Sequence, residues 1–151
     1  MLRKIALIAV PFIWFGIIAA ISFMEAPLKF QAPGITIPLG LGIGRLVFFA
    51  LNKMEIVLAA VFLISLLGNR SIGATARILF TVIALILAIE TVWLLPALDA
   101  RAEEVINGTA DPFSSMHFVY IALDAVKLIL LLVLGIVVSR RLLVAQAVPP
   151  A

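Results

Sequence analysis

Four long apolar segments constrain this chain more than any other feature of its sequence. They cover about residues 5–26, 44–68, 77–97 and 115–139. Each is long enough for a helix to cross a hydrocarbon layer of about 30 Å, which takes about 20 apolar residues. In lipid, only helices and closed barrels satisfy their own backbone hydrogen bonds, and no repeated β-strand alternation is present. The sequence therefore predicts an all-α protein with one transmembrane domain, residues 1–151.

Composition excludes a water-soluble globule. The chain is 65% hydrophobic and 13% charged, whereas soluble domains have about 45–50% apolar and about 25% charged residues. It contains no cysteine, which excludes disulfides and thiolate metal sites. The net charge of +3 comes without any long basic run, so no nucleic-acid partner is predicted. The first segment exceeds the 7–15 residues or so of a signal-peptide core and is interpreted as a membrane span.

The loops indicate how the spans are oriented. Positive charges occur without acids at the N-terminus, between the second and third spans, and in the tail. Five acids lie in or at the edge of the other two connections, against only Lys29 and Arg101: Glu25, Asp99, Glu103, Glu104 and Asp111. Because Lys and Arg mark the cytoplasmic side, we expect both termini in the cytoplasm and an antiparallel four-helix bundle. The expected location is the bacterial cytoplasmic (inner) membrane.

The two outer connections differ in character. Residues 31–44 combine glycines and prolines with Ile and Leu, which predicts irregular structure that lies in the membrane interface or folds back over the bundle. The Gly40-x-Gly42-x-Gly44 spacing is not a phosphate-binding loop, because no Lys-Ser/Thr follows it and no strand precedes it. Residues 98–114 begin with a short charged helix and then break at Asn107-Gly108 and at Asp111-Pro112.

Polar residues inside the spans are the main functional signal, because each one is costly in lipid. On the fourth span, four of them are spaced three, four and three residues apart, which places them on one helix face. Counted from the outer ends of the spans, Glu90 and His117 lie one to two turns down, other charged residues such as Glu55 and Asp124 lie near the midplane, and Lys127 lies somewhat deeper, whereas the inner halves are almost wholly apolar. The sequence predicts a polar basin open toward the outer face. The candidate network is Glu25, Arg45, Asn52, Lys53, Glu55, Glu90, His117, Tyr120, Asp124 and Lys127.

Three interpretations of this network remain open. Acids and bases could simply neutralise one another. Alternatively, the basin could bind a small solute or ion, or relay protons, as Asp/Glu/His chains do in transporters. A metal site or enzyme is the third possibility, using His117, Glu90 and Asp124, with Glu25 and Glu55 as further carboxylates. Carboxylate-bridged metal sites in helical bundles use Glu-x-x-His pairs, however, and none occurs here.

We favour a non-enzymatic protein, without a cofactor, that handles solutes or ions or serves as an accessory membrane subunit. Its predicted partner is the lipid bilayer. A homo-oligomer or a larger membrane complex is left open.

Three short stretches resemble a known family. Ala-Pro-Leu-Lys-Phe closes the first span, Glu90 precedes Trp-Leu-Leu-Pro in the third, and His117 opens the fourth helix ahead of Tyr120, Asp124 and Lys127. Together they resemble the TMEM205-like family of four-span membrane proteins, also described as DUF4149. The resemblance implies a four-helix membrane fold and, from the vertebrate members, an association with drug resistance and suspected transport. It supplies no catalytic residues.

Overall fold

Four long helices make up the described part of the chain, which comprises residues 1–67, 69, 72–111 and 115–147 of a computed structural model. They are α1 (Leu2–Gln31), α2 (Ile37–Leu66), α3 (Gly73–Ile106) and α4 (Ser115–Ala147). All four are long and apolar enough to cross a membrane. No strand occurs within these ranges. The predicted all-helical fold is confirmed for these residues, with four helices long and apolar enough to span a membrane.

The helix surfaces fit a lipid environment. Only 22–39% of the most apolar window of each span is buried, so large apolar side chains such as Leu46, Ile78 and Val92 stand on the outside. A contiguous apolar surface of this kind needs lipid or a partner to cover it. Inside the bundle, buried apolar side chains from all four helices form one core. Its members include Leu7, Phe62, Phe80, Leu131, Leu134 and Val138.

Two helices contain a wide π-helical turn just before a proline. In α1 it spans Ala19–Glu25, ahead of Pro27, and in α3 it spans Glu90–Leu94, ahead of Pro96. A proline lacks the N–H of the regular ladder, and its ring clashes with the carbonyl four residues back. The wide turn accommodates the ring, so α3 continues to Ile106. Helix α3 therefore continues beyond residue 97, where the third span is predicted to end, through the short charged helix predicted to follow it.

The predicted irregular structure across residues 31–44 is wrong from Ile37 onward. Helix α2 begins there, seven residues before the predicted start of the span. Thr36 caps the helix, since its hydroxyl accepts a hydrogen bond from the Leu39 N–H at 3.3 Å. Pro38 lies in the first turn, where a missing N–H costs nothing.

The glycines of this stretch serve helix packing rather than a break. A Cβ atom at Gly44 would lie 3.1 Å from Lys29 Nζ, and one at Gly40 would overlap the Phe30 ring. The end of α1 therefore packs directly on the backbone of α2. At the other outer connection, the predicted break at Asn107-Gly108 is confirmed, with Gly108 at a φ of +73°. The predicted break at Pro112 lies outside the described residues.

Candidate functional site

A single lysine holds three carboxyl groups together in the middle of the bundle. Lys127 Nζ lies 2.7 Å from Glu55 Oε1 and 2.9 Å from Asp124 Oδ1, and it also donates a hydrogen bond to Glu90. All four side chains are buried, with at most 1% of each exposed. We call these four residues the carboxylate cluster. Sequence analysis proposed all four of them.

Each of the four helices contributes at least one side chain to the cluster or to a contact with it. Asp124 and Lys127 lie one turn apart on α4, Glu55 comes from α2, and Glu90 begins the π-helical turn of α3. Helix α1 contributes Trp14, whose indole Nε1–H donates to Glu55 Oε1 at 2.8 Å. The sequence does not identify Trp14 as a partner of the polar network, because Trp14 lies in an otherwise apolar half of its span. A buried tryptophan needs a partner for its N–H, and only the fold identifies that partner.

The cluster has more acceptor capacity than it has donors. Three of its oxygens are buried without a hydrogen bond to any described residue, namely Glu55 Oε2, Glu90 Oε1 and Asp124 Oδ2, and Asp124 Oδ1 meets only the Lys127 ammonium in the 2.9 Å ion pair. If all three carboxyl groups were ionised, one ammonium would leave two negative charges uncompensated. Burying an unpaired ion costs several kcal/mol, at least about 3. The cluster therefore calls for protons or another cation.

The three carboxyl groups lie close enough together to share a metal ion. One oxygen from each of Glu55, Glu90 and Asp124 lies within 4.8 Å of the other two. The Lys127 ammonium, however, contacts all three, so a metal ion would have to displace it. The predicted set of His117 with Glu90 and Asp124 is not brought together, because His117 is exposed at the rim of a cavity two turns away along α4.

The remaining predicted residues lie around the cluster or apart from it. Asn52 is next to it, and its amide donates to Thr91 Oγ1 at 2.8 Å. Arg45 pairs with Asp99 through two contacts of 2.5 and 3.1 Å. Glu25 pairs with Lys29 of its own helix at 3.3 Å. None of Asn52, Arg45 and Glu25 contacts Lys127 among the interactions of the described residues.

Lys53 is not part of the network, contrary to the prediction. Its side chain is exposed on the outside of the bundle and makes no ion pair or hydrogen bond with any described residue. At about 3.6 residues per turn, two positions along a helix differ by about 200°. Lys53 therefore points away from the interior when Glu55 points into it.

A cavity of about 730 Å³ opens between the four helices at the end that holds Arg45 and Asp99. Tyr120 lines it, and the Tyr120 ring packs against Phe48 with centroids 5.3 Å apart. None of the four cluster residues lines the cavity. The sequence predicts one open basin, whereas the structure separates the cavity from a buried cluster one turn beyond Tyr120 on α4.

The chain matches no protein-family model, no curated protein and no solved structure. Its resemblance to the TMEM205-like family therefore stays a prediction.

Proposed function

We propose that this chain is a small multi-pass protein of the bacterial inner membrane that handles protons at the carboxylate cluster. The observation that carries the proposal is the excess of buried carboxyl groups over cations around Lys127. Protons taken up by the two glutamates of the cluster, Glu55 and Glu90, remove this excess and supply donors for oxygens that now have none. Placing both termini in the cytoplasm, with antiparallel helices, is supported by the distribution of Lys and Arg between the loops.

Access to the cluster comes from the cavity in this proposal. Tyr120 lies between the two, four residues before Asp124 on α4. On the other side of the cluster, the described core consists of apolar side chains such as Phe62, Leu131 and Leu134. A water-filled path across the whole bundle has no support there. The proposed function is thus proton uptake and release from one side, in solute or ion handling, rather than conduction through the chain.

Infrared spectroscopy of the protein in lipid tests the proposal. At pH 7 we expect the wild-type protein to show the C=O stretch of a buried protonated carboxyl group. Glu90→Gln removes one carboxyl group of the cluster and should weaken that band. The matched control is Glu103→Gln, because the Glu103 side chain is 62% exposed and lies on the same helix. Glu103→Gln should leave the band unchanged.

The result that overturns proton uptake is equally clear. If no protonated-carboxyl band appears at pH 7 and all three groups absorb as carboxylates, another cation must balance them. Metal analysis of the same sample then distinguishes a bound ion from none. Gln in place of Glu keeps the side-chain volume, so a folding defect is a minor concern for these variants.

A second candidate, an accessory subunit of a membrane complex, is favoured by Lys53. This exposed ammonium lies two residues from Glu55, at the depth of the cluster. A charged group in lipid at this depth is costly and is usually paired. The carboxyl groups at the same depth, Glu55, Glu90 and Asp124, are all buried around Lys127. A second copy of the chain therefore offers no carboxylate there, and the fitting partner is a transmembrane helix of another protein that carries an acid.

Zero-length cross-linking in native membranes tests this subunit role. A lipid-soluble carbodiimide joins an amine to a carboxylate in direct contact, so we expect one cross-linked product in the wild type. Lys53→Arg keeps the positive charge but removes the amine and should abolish that product. Lys4→Arg changes an exposed lysine at the N-terminus and should have no effect. A product that persists in Lys53→Arg, one with twice the mass of the chain, or no product at all contradicts the role.

A further inference from the structure

Two of the residues that line the cavity carry hydroxyl groups without a hydrogen-bond partner among the described residues. Ser22 lines it and is 9% exposed, and its Oγ is buried without a hydrogen-bond partner among the described residues. Tyr120 also lines it, is 3% exposed, and makes no hydrogen bond to any described residue. A fully buried hydroxyl group without a partner, such as that of Ser22, is rare in folded proteins. A ligand with an acceptor oxygen would satisfy both of them.

The charged groups around the cavity are already neutralised within the chain. Lys29 lies 3.3 Å from a Glu25 oxygen, Arg45 lies 2.5 Å from an Asp99 oxygen, and Arg101 lies 3.1 Å from a Glu104 oxygen. No cation of the lining is left over to pair with a phosphate or a carboxylate. The charge distribution therefore favours an uncharged ligand over an anionic lipid headgroup.

Aromatic rings make up much of the remaining wall. Phe30, Phe48, Phe49 and Tyr120 all line the cavity, and flat ligand rings pack well against such side chains. The volume of about 730 Å³ falls within the range of about 300–1,000 Å³ typical of small-molecule sites. We propose that the cavity binds a neutral, lipid-soluble molecule with a planar carbonyl-bearing ring, of the quinone class. The carbonyl oxygens would accept hydrogen bonds from Ser22 and Tyr120.

Binding of decylubiquinone to the purified protein in nanodiscs tests this site. We expect a saturable rise in thermal stability with added quinone, because a ligand that binds only the folded state stabilises it. Tyr120→Phe removes one hydroxyl and keeps the ring, so the affinity should fall about fivefold, the equivalent of one neutral hydrogen bond. Dodecyl phosphate, an anionic amphiphile, should bind more weakly than the quinone.

A pair of tryptophan substitutions separates the cavity from the general lipid surface. Ile121→Trp fills the cavity, since Ile121 is in its wall, and should abolish binding. Val119→Trp adds the same bulk on the exposed side of α4, outside the cavity lining, and should leave binding unchanged. Equal binding by the two variants means that quinone only partitions into lipid, and it overturns the proposal.

Other outcomes also decide the matter. No saturable binding, or tighter binding of dodecyl phosphate, contradicts a neutral quinone-like ligand. If Ile121→Trp fails to fold, Tyr120→Phe still tests the site, because loss of the hydroxyl alone leaves the packing of the ring in place. The proposal does not rest on proton uptake by the carboxylate cluster, and its readout is ligand affinity rather than carboxyl protonation. The two can therefore fail separately.

Discussion

Replacing Lys127 with methionine is expected to destabilise the folded protein by about 3–5 kcal/mol at neutral pH, the cost typical of removing one partner of a buried ion pair. The ammonium is the cation in contact with Glu55, Glu90 and Asp124, and methionine is apolar and of similar length. Reversible unfolding in mixed micelles measures the change. Lys53→Met is the matched control, because Lys53 lies at the same depth but makes no ion pair or hydrogen bond with any described residue.

The loss in Lys127→Met should shrink as the pH falls. Without the ammonium, the buried carboxyl groups of the folded protein must hold protons, whereas the unfolded chain releases them to water at neutral pH. The folded state then binds more protons than the unfolded state, so its stability rises as the pH is lowered. Equal destabilisation of Lys127→Met and Lys53→Met, or a loss that grows toward acidic pH, contradicts the role assigned to Lys127.

Trp14→Ala is the second change with a large expected effect. Truncating a fully buried tryptophan typically costs about 3–5 kcal/mol, and here it also removes the N–H bonded to Glu55 at 2.8 Å. Trp93→Ala provides the matched control, because Trp93 is 60% exposed and exposed substitutions usually stay within about 0.5 kcal/mol. The same unfolding assay measures both variants.

Trp14→Phe separates packing from the hydrogen bond at this position. It keeps an aromatic ring and removes the indole N–H, so the expected loss is about 1–3 kcal/mol. If Trp14→Phe is as stable as the wild type, the contact with Glu55 contributes nothing, and Trp14 serves the core only. Similar losses in Trp14→Ala and Trp93→Ala would contradict the burial that distinguishes the two positions.

The number of apolar helices and all four residues of the carboxylate cluster could be predicted from the sequence, because both follow from the cost of polar groups in lipid. Which way a side chain faces could not. Within α2, Lys53 and Glu55 both look like network members, but lipid and core are equally apolar. The hydropathy around them therefore does not distinguish the interior from the surface. In a soluble helix, the polar face would have marked Lys53 as exposed.

The predictions made from glycine and proline differ from the structure for a related reason. Gly40 and Gly44 resemble loop residues in the sequence, yet they are in a helix where Phe30 and Lys29 need room. Pro96 resembles a helix end, but a wide turn lets α3 continue past it. The structure at each of these glycines and at the proline depends on a neighbouring side chain or on a backbone adjustment, and the local sequence pattern indicates neither. Trp14 belongs with them, since its partner Glu55 lies 41 residues away.

The position of Lys127 has a consequence for biogenesis. Chains are synthesised from the N-terminus, so α4 is the last of the four helices to leave the ribosome. Until it inserts, Glu55 and Glu90 lack the lysine they both contact in the finished bundle. The fourth helix brings this lysine together with Asp124, so the two acids gain a shared cation while the excess of two carboxyl groups over cations stays the same. The contacts that join Lys127 to Glu55 and Glu90 can therefore form only after the last helix has been synthesised.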